Sequence, residues 1–227
     1  MLDDFIALFF PNTCVVCGSS LFKNEHVICS RCFMHLPETN FHKDKENEVT
    51  QVFWGRVPLE TGASLYYYKK GGSVQQLLHQ FKYKGHQEIG HFIGRYYGSR
   101  LKESEHFQAV DVIIPIPLHK KKLKLRGFNQ AELFANGLGH SMQVNVDTSS
   151  VIRHVETSTQ TRKSRYNRWE NVSEIFGITQ PEKLENKHIL LVDDVITTGA
   201  TMEACLQTLH KIPGILLSVA SIAFAKH

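Results

Sequence analysis

The residues most suited to chemistry lie near the C-terminus, in HILLVDDVITTGAT (188–201). An apolar run, Ile189 to Val192, meets two adjacent carboxylates, Asp193 and Asp194, followed within a few residues by Thr197, Thr198, Gly199, Ala200 and Thr201. A strand end carrying two acids can accept hydrogen bonds from neighbouring sugar hydroxyls or face a metal through water. A hydroxyl-rich turn opening a helix offers backbone N–H groups to a phosphate dianion, and a glycine there lets the backbone approach closely. Acids for a sugar and N–H groups for a phosphate together describe a sugar-5-phosphate ligand. The glycine spacings of a Walker loop and of a dinucleotide loop are both absent.

A second set is sulfur-based. CVVC (14–17) and CSRC (29–32) present Cys14, Cys17, Cys29 and Cys32 as two pairs. Two such pairs suit tetrahedral Zn²⁺ in a closed, structural site, although the gap between them is shorter than usual. Disulfides and a redox pair are the weaker alternatives in a chain with no secretory signal. Cys205 sits in an apolar helical pattern and reads as a small buried hydrophobe.

The third set is basic. LHKKKLKLR (118–126) supplies His119, Lys120, Lys121, Lys122, Lys124 and Arg126 just after an apolar strand. A pyrophosphate needs such cations, though charge runs are often only solvated surface. A further segment, 153–172, interleaves Tyr166 and Trp169 with Arg162, Lys163, Arg165 and Arg168. That pattern suits either a closing lid or a single-stranded nucleic acid, and the two roles are compatible.

The elements that must position these groups follow from periodicity. ASLYYYK (63–69), AVDVIIPIP (109–117), SSVIRHV (149–155), EIFGI (174–178), HILLVDD and GILLSVASIAFAK (214–226) read as strands. GGSVQQLLHQFKYKG (71–85) reads as a helix burying Val74, Leu77, Leu78 and Phe81, and helices follow at 88–101, 127–142 and 199–212. The alternation predicts an α/β fold with a mostly parallel sheet covered by helices on both faces. The polar stretch 38–50 reads as a linker, dividing the chain into a cysteine head over 1–50 and an α/β body over 51–227.

Length and composition agree with a soluble globular protein: 227 residues, 42% apolar, 21% charged and a net charge of +4. No apolar run reaches the roughly 20 residues of a membrane span. The N-terminus, with Asp3 and Asp4 and no basic start, reads as a short amphipathic helix ended by Pro11 rather than a signal peptide.

VDDVITTGAT resembles the phosphoribosyl-pyrophosphate (PRPP) signature of type I phosphoribosyltransferases. The resemblance implies that Asp193 and Asp194 hold the ribose 2- and 3-hydroxyls, as the catalytic pair, and that residues 197–201 wrap the 5-phosphate, with Mg²⁺ accompanying the pyrophosphate. With the cysteine head, YYYKKGGSVQQLLHQFKYKG (66–85), IPIPLHKKKLKLRGFNQA (114–131) and the pattern Arg153, Gln160, Arg168 and Asn171, the chain resembles the ComF family of competence-associated, phosphoribosyltransferase-like proteins. TRKSR (161–165) departs from that pattern, where the family usually carries a leucine. The resemblance implies a lid containing Gln160, Arg165 and Arg168, a cytoplasmic location, and a role with the DNA-uptake machinery in handling incoming single-stranded DNA. Two alternatives stand beside it: a catalytic Mg²⁺-dependent phosphoribosyltransferase of nucleotide metabolism, and a PRPP-sensing regulator acting through a protein partner.

Overall fold

The computed structural model describes residues 12–154 and 175–226. Its centre is a five-stranded, wholly parallel sheet in the order β1-β7-β6-β2-β3: β1 Thr61–Tyr68, β2 Val112–Pro115, β3 Asn145–Val146, β6 His188–Ile196 and β7 Leu216–Ala225. The near-continuous apolar runs of β6 and β7 follow from burial on both faces, because parallel strands need crossover helices that cover the sheet. A two-stranded antiparallel unit, β4 Val151–Arg153 and β5 Phe176–Ile178, stands apart from it.

Among the described residues the α-helices are α1 Ser30–Met34, α2 Glu48–Phe53, α3 Ser73–Tyr83, α4 Glu88–Glu103, α5 Lys120–Arg126, α6 Gln130–Met142 and α7 Ala200–Leu209. In α3 the buried residues are Val74, Leu77, Leu78 and Phe81, the face that the spacing predicts. The connection β2–α6–β3 steps toward one edge of the sheet, and β6–α7–β7 steps toward the other. Right-handed crossovers then place α6 and α7 on opposite faces. The crossover from β1 to β2 puts α3 and α4 with α6, which matches the close packing of α4 on α6. That closeness comes from glycine: a Cβ on Gly137 would meet the Gly94 Cα and the His91 carbonyl oxygen, each at 2.7 Å. Gly90, Gly94 and Gly98 recur every fourth residue and form the stripe of α4 that receives α6.

Three stretches differ from the sequence expectation. The two aspartates do not end the strand, since β6 continues to Ile196 in register with Phe224. The basic run 120–126 is a helix, α5, with no buried residue, so it shows none of the apolar periodicity that marks a helix. The polar stretch 38–50 contains a 3-10 turn, Phe41–Lys43, and the start of α2. Asn47 caps α2 by accepting the N–H groups of Val49 and Thr50, and Phe41, Val49 and Phe53 enter the core.

Residues 37–39 run along the outer edge of β1. Tyr67 N–H donates to the Pro37 carbonyl at 2.8 Å, Thr39 N–H donates to the Leu65 carbonyl at 2.9 Å, and Glu38 bridges Tyr66. Phe33, beside the cysteines, meets Phe92 and Tyr96 of α4 edge-on at 5.6 and 4.7 Å. The head is thus fastened to the body through the edge strand and α4. Among the described residues no helix is long and apolar enough to cross a membrane.

Candidate functional site

In open α/β sheets ligands bind beyond the carboxyl ends of the strands, where neighbouring connections diverge to opposite faces. Here that point lies between β6 and β2. The acidic pair sits on β6 at that end, and Pro115 of β2 pairs with Val192.

Adjacent strand residues face opposite sides, so the two carboxylates have different surroundings. Asp194 is buried and accepts an ion pair from Lys82 Nζ at 2.9 Å, from the last turn of α3. Asp193 Oδ1 accepts the Asp194 N–H at 2.7 Å. Burial, then the charge of Asp194, pushes the Asp193 carboxyl up to about 7, against opposing help from the Asp194 N–H, Lys82 and Arg153. Burial, with Asp193 close by, pushes the Cys205 thiol up to about 12, so Cys205 is an inert core residue.

Past Ile196 the chain turns through Thr197 and Thr198 into α7. Asp193 and residues 195–202 line one concave cradle there. Gly199, the N-cap of α7, has φ +75°, and a Cβ on it would meet Val52 Cγ1 at 2.7 Å and the Phe53 ring at 3.2 Å. Glycine is therefore required twice, for the left-handed turn and for the contact with α2. Glu203 N–H is the first to close the helical ladder, on the Gly199 carbonyl at 2.8 Å. The N–H groups ahead of it have no intrahelical partner and give the cradle its anion-binding character.

The basic run follows β2 directly, with Asn129 Nδ2 donating back to the Ile116 carbonyl at 3.1 Å. His119 caps α5: its Nδ1 accepts the Lys121 N–H at 3.2 Å. Lys120, Lys121, Lys122 and Lys124 are exposed. Arg126 donates to Gln130 Oε1 at 2.8 Å and lies 5.3 Å from the centre of the Tyr83 ring. Gln160, Arg165, Arg168 and Asn171, with Tyr166 and Trp169, fall outside the described residues.

Sequence reasoning missed Lys82 and α2. A signal for Lys82 exists: it follows buried Leu78 by four residues, which puts a cation at the end of an apolar helix face. For α2 the signal is slight, because six residues set among polar ones make no clear period.

In the head, the sulfurs of Cys14, Cys17, Cys29 and Cys32 all lie within 4.8 Å of one another. Cys17 and Cys29 are 3.8 Å apart, and all four thiols are free. Sulfurs at about 2.3 Å from a tetrahedral zinc are separated by roughly 3.8 Å, whereas a disulfide needs about 2.05 Å. The cluster therefore fits a metal such as zinc. Cys29 N–H donates to Cys14 Sγ at 3.3 Å and Cys32 N–H to Cys29 Sγ at 3.4 Å, which orients two of the ligands.

A parallel sheet with an acidic pair and a threonine-glycine cradle at its switch point defines a type I phosphoribosyltransferase-like domain, here preceded by a four-cysteine head. A phosphoribosyl transferase domain model matches residues 129–225. Competence protein ComFC of Bacillus subtilis is 30% identical over 192 residues, 83% of this chain and 74% of that protein. DNA utilization protein YhgH of Shigella flexneri is 31% identical over 139 residues. That match spans 60% of the length of each. Among solved structures, the B. subtilis glutamine PRPP amidotransferase complexed with ADP and GMP superposes with a TM-score of 0.43 at 16% identity, over 62% of this chain and 30% of that one. The fold assignment rests instead on the sheet order and the family match. The chain belongs to the ComF family.

Proposed function

We propose that the chain binds PRPP and uses that site while handling incoming single-stranded DNA during natural transformation. The observation that carries the first half is the left-handed Gly199 opening α7 beside an acidic pair in the C-terminal part of β6. It supports a ribose-5-phosphate whose hydroxyls meet Asp193 and Asp194 and whose phosphate takes N–H groups of residues 197–201, among which Ala200 N–H makes only a long contact to Thr198 Oγ1 at 3.5 Å. Mg²⁺ would accompany the pyrophosphate and offset its charge. The acidic pair fits this role, since among the described residues each hydrogen bond to the pair engages Oδ1 and leaves Oδ2 for a ligand. Lys120, Lys121, Lys122 and Arg126 supply cations on α5, the helix that follows the neighbouring strand β2. Gln160, Arg165 and Arg168 are the lid residues of this reading.

The second half draws on the exposed cations of α5 and on relatives named for competence and DNA utilization. Zn²⁺ on the four cysteines is structural in this reading, because four protein ligands leave no open position. A second reading, transfer of a ribosyl group to an acceptor base, draws on α2. That helix packs against Gly199 and ends at exposed Trp54, an aromatic suited to a base.

Calorimetry with Mg²⁺-PRPP tests the site. Wild type should bind, and Asp193→Asn combined with Asp194→Asn should abolish binding while the protein stays folded. Unchanged affinity in the folded double variant would overturn the assignment. Release of pyrophosphate with any of a panel of bases would move the transferase reading ahead.

A further inference from the structure

The last turn of α3 sends three consecutive side chains to three different parts of the site. Phe81 is buried against Phe128, with ring centroids 5.9 Å apart. Lys82 holds Asp194. Tyr83 projects outward, 57% exposed, with the Arg126 guanidinium 5.3 Å from its ring centre. One turn earlier on the same flank, exposed His79 lies 5.2 Å from Tyr83. Three flat groups therefore lie together on the surface, one residue from the acidic pair.

We propose that His79, Tyr83 and Arg126 form a stacking platform for a base of single-stranded DNA at the mouth of the ribose-phosphate site. The inference rests on the DNA-handling reading above and names where a base, as distinct from a phosphate, is held. An exposed cation–π pair is common on protein surfaces and is worth about 0.5 to 1 kcal/mol. Two features distinguish this one. Arg126 is fixed by Gln130, which is only 1% exposed, so its plane is set before any ligand arrives. Gln130 Nε2 is buried without a hydrogen-bond partner among the described residues, one donor more than the fold uses.

The surroundings match a polynucleotide. Lys84 follows Tyr83 at the C-cap of α3, and Lys120, Lys121, Lys122 and Lys124 stand on the helix that carries Arg126. Cations along the path take phosphates without regard to sequence, while the flat groups take the face of any base. A base inside a duplex has both faces covered by its neighbours, so the platform selects single strands.

The test uses fluorescence anisotropy at low salt with the full chain and three probes: an oligothymidylate, an abasic strand of equal length and a duplex. Tyr83→Ala should weaken oligothymidylate binding about tenfold, within the range of one stacked base, and leave the abasic strand within about twofold. Tyr83→Phe should keep wild-type affinity. Arg126→Lys, which keeps the charge and loses the plane, should narrow the gap between the two single strands. The duplex should bind no better than the abasic strand. Equal loss on both single strands, or no loss on either, overturns the platform alone. If wild type binds neither single strand, the DNA-handling reading falls, and the platform with it. Because Tyr83 is exposed, an unchanged thermal melt separates a local effect from unfolding.

Discussion

Gly199→Ala tests the link between the phosphate cradle and the segment read from sequence as a linker. The new methyl must adopt φ +75°, which costs about 1 to 2 kcal/mol for a residue with a Cβ. It also meets Val52 Cγ1 at 2.7 Å and Phe53 at 3.2 Å. Val52 is half-buried and can yield by rotating, whereas Phe53 is 1% exposed and cannot. Overpacking of this kind costs about 1 to 3 kcal/mol. The expected total is about 3 kcal/mol, a large share of the roughly 5 to 15 kcal/mol that holds a domain folded. Urea unfolding monitored by tryptophan fluorescence measures it. A double-mutant cycle separates the contributions: Val52→Ala in the Gly199→Ala background should recover the Val52 part of the overpacking share, and none of the Phe53 part or of the backbone share. A loss below about 0.5 kcal/mol, or strict additivity of the two changes, would refute the argument.

Three other outcomes are expected. Lys82→Met should destabilise the fold by about 2 kcal/mol by leaving Asp194 buried and unpaired, and adding Asp194→Asn should recover most of the loss; independent effects in that cycle would dissociate the pair. Asp193 should make stability depend on pH: its carboxyl is raised from 3.8 to about 7 in the folded state, so between those values the folded chain holds a proton that the unfolded chain lacks. Its stabilising contribution is therefore full below about pH 4 and lost as pH rises through 7, and denaturant titrations should show Asp193→Asn gaining on wild type from pH 5 to pH 8; a constant difference would contradict the burial argument. Metal analysis should find about one zinc per chain, and Cys29→Ser should lower it and open the head to protease while sparing PRPP binding; a metal-free, protease-resistant head would rule the site out.

The sequence made legible the features with a strong period or a fixed local chemistry. The apolar face of α3 is one, and the cradle after β6 is another, because the acid pair and the hydroxyl-rich glycine turn stand within a few residues of each other in the chain. The exposed helix α5 was opaque: it buries nothing, so hydrophobic spacing has nothing to report. The helix α2 depends on an asparagine cap and on contacts from β1 and the cradle, which a local window does not contain. The glycine stripe of α4 reads locally as weakness in a helix and acquires meaning only when α6 is laid across it. Lys82 shows the same dependence: its partner lies 112 residues away.

The seam formed by residues 37–39 on β1 bears on solubility. A parallel sheet ends in a row of unsatisfied N–H and C=O groups, a template for pairing with another chain. In this protein the strip that leaves the cysteine head covers that row, so the sulfur cluster also secures the cover of the sheet edge. A fragment starting at residue 40 would keep Asn47, α2, the acidic pair, the cradle and α5, yet would present β1, six of whose eight residues are buried, as an open border. Such a fragment, or the 227-residue chain treated with a chelator, should scatter light through edge-to-edge association at concentrations where the untreated chain stays clear. With that outcome, metal content and colloidal behaviour would change together through residues 37–39.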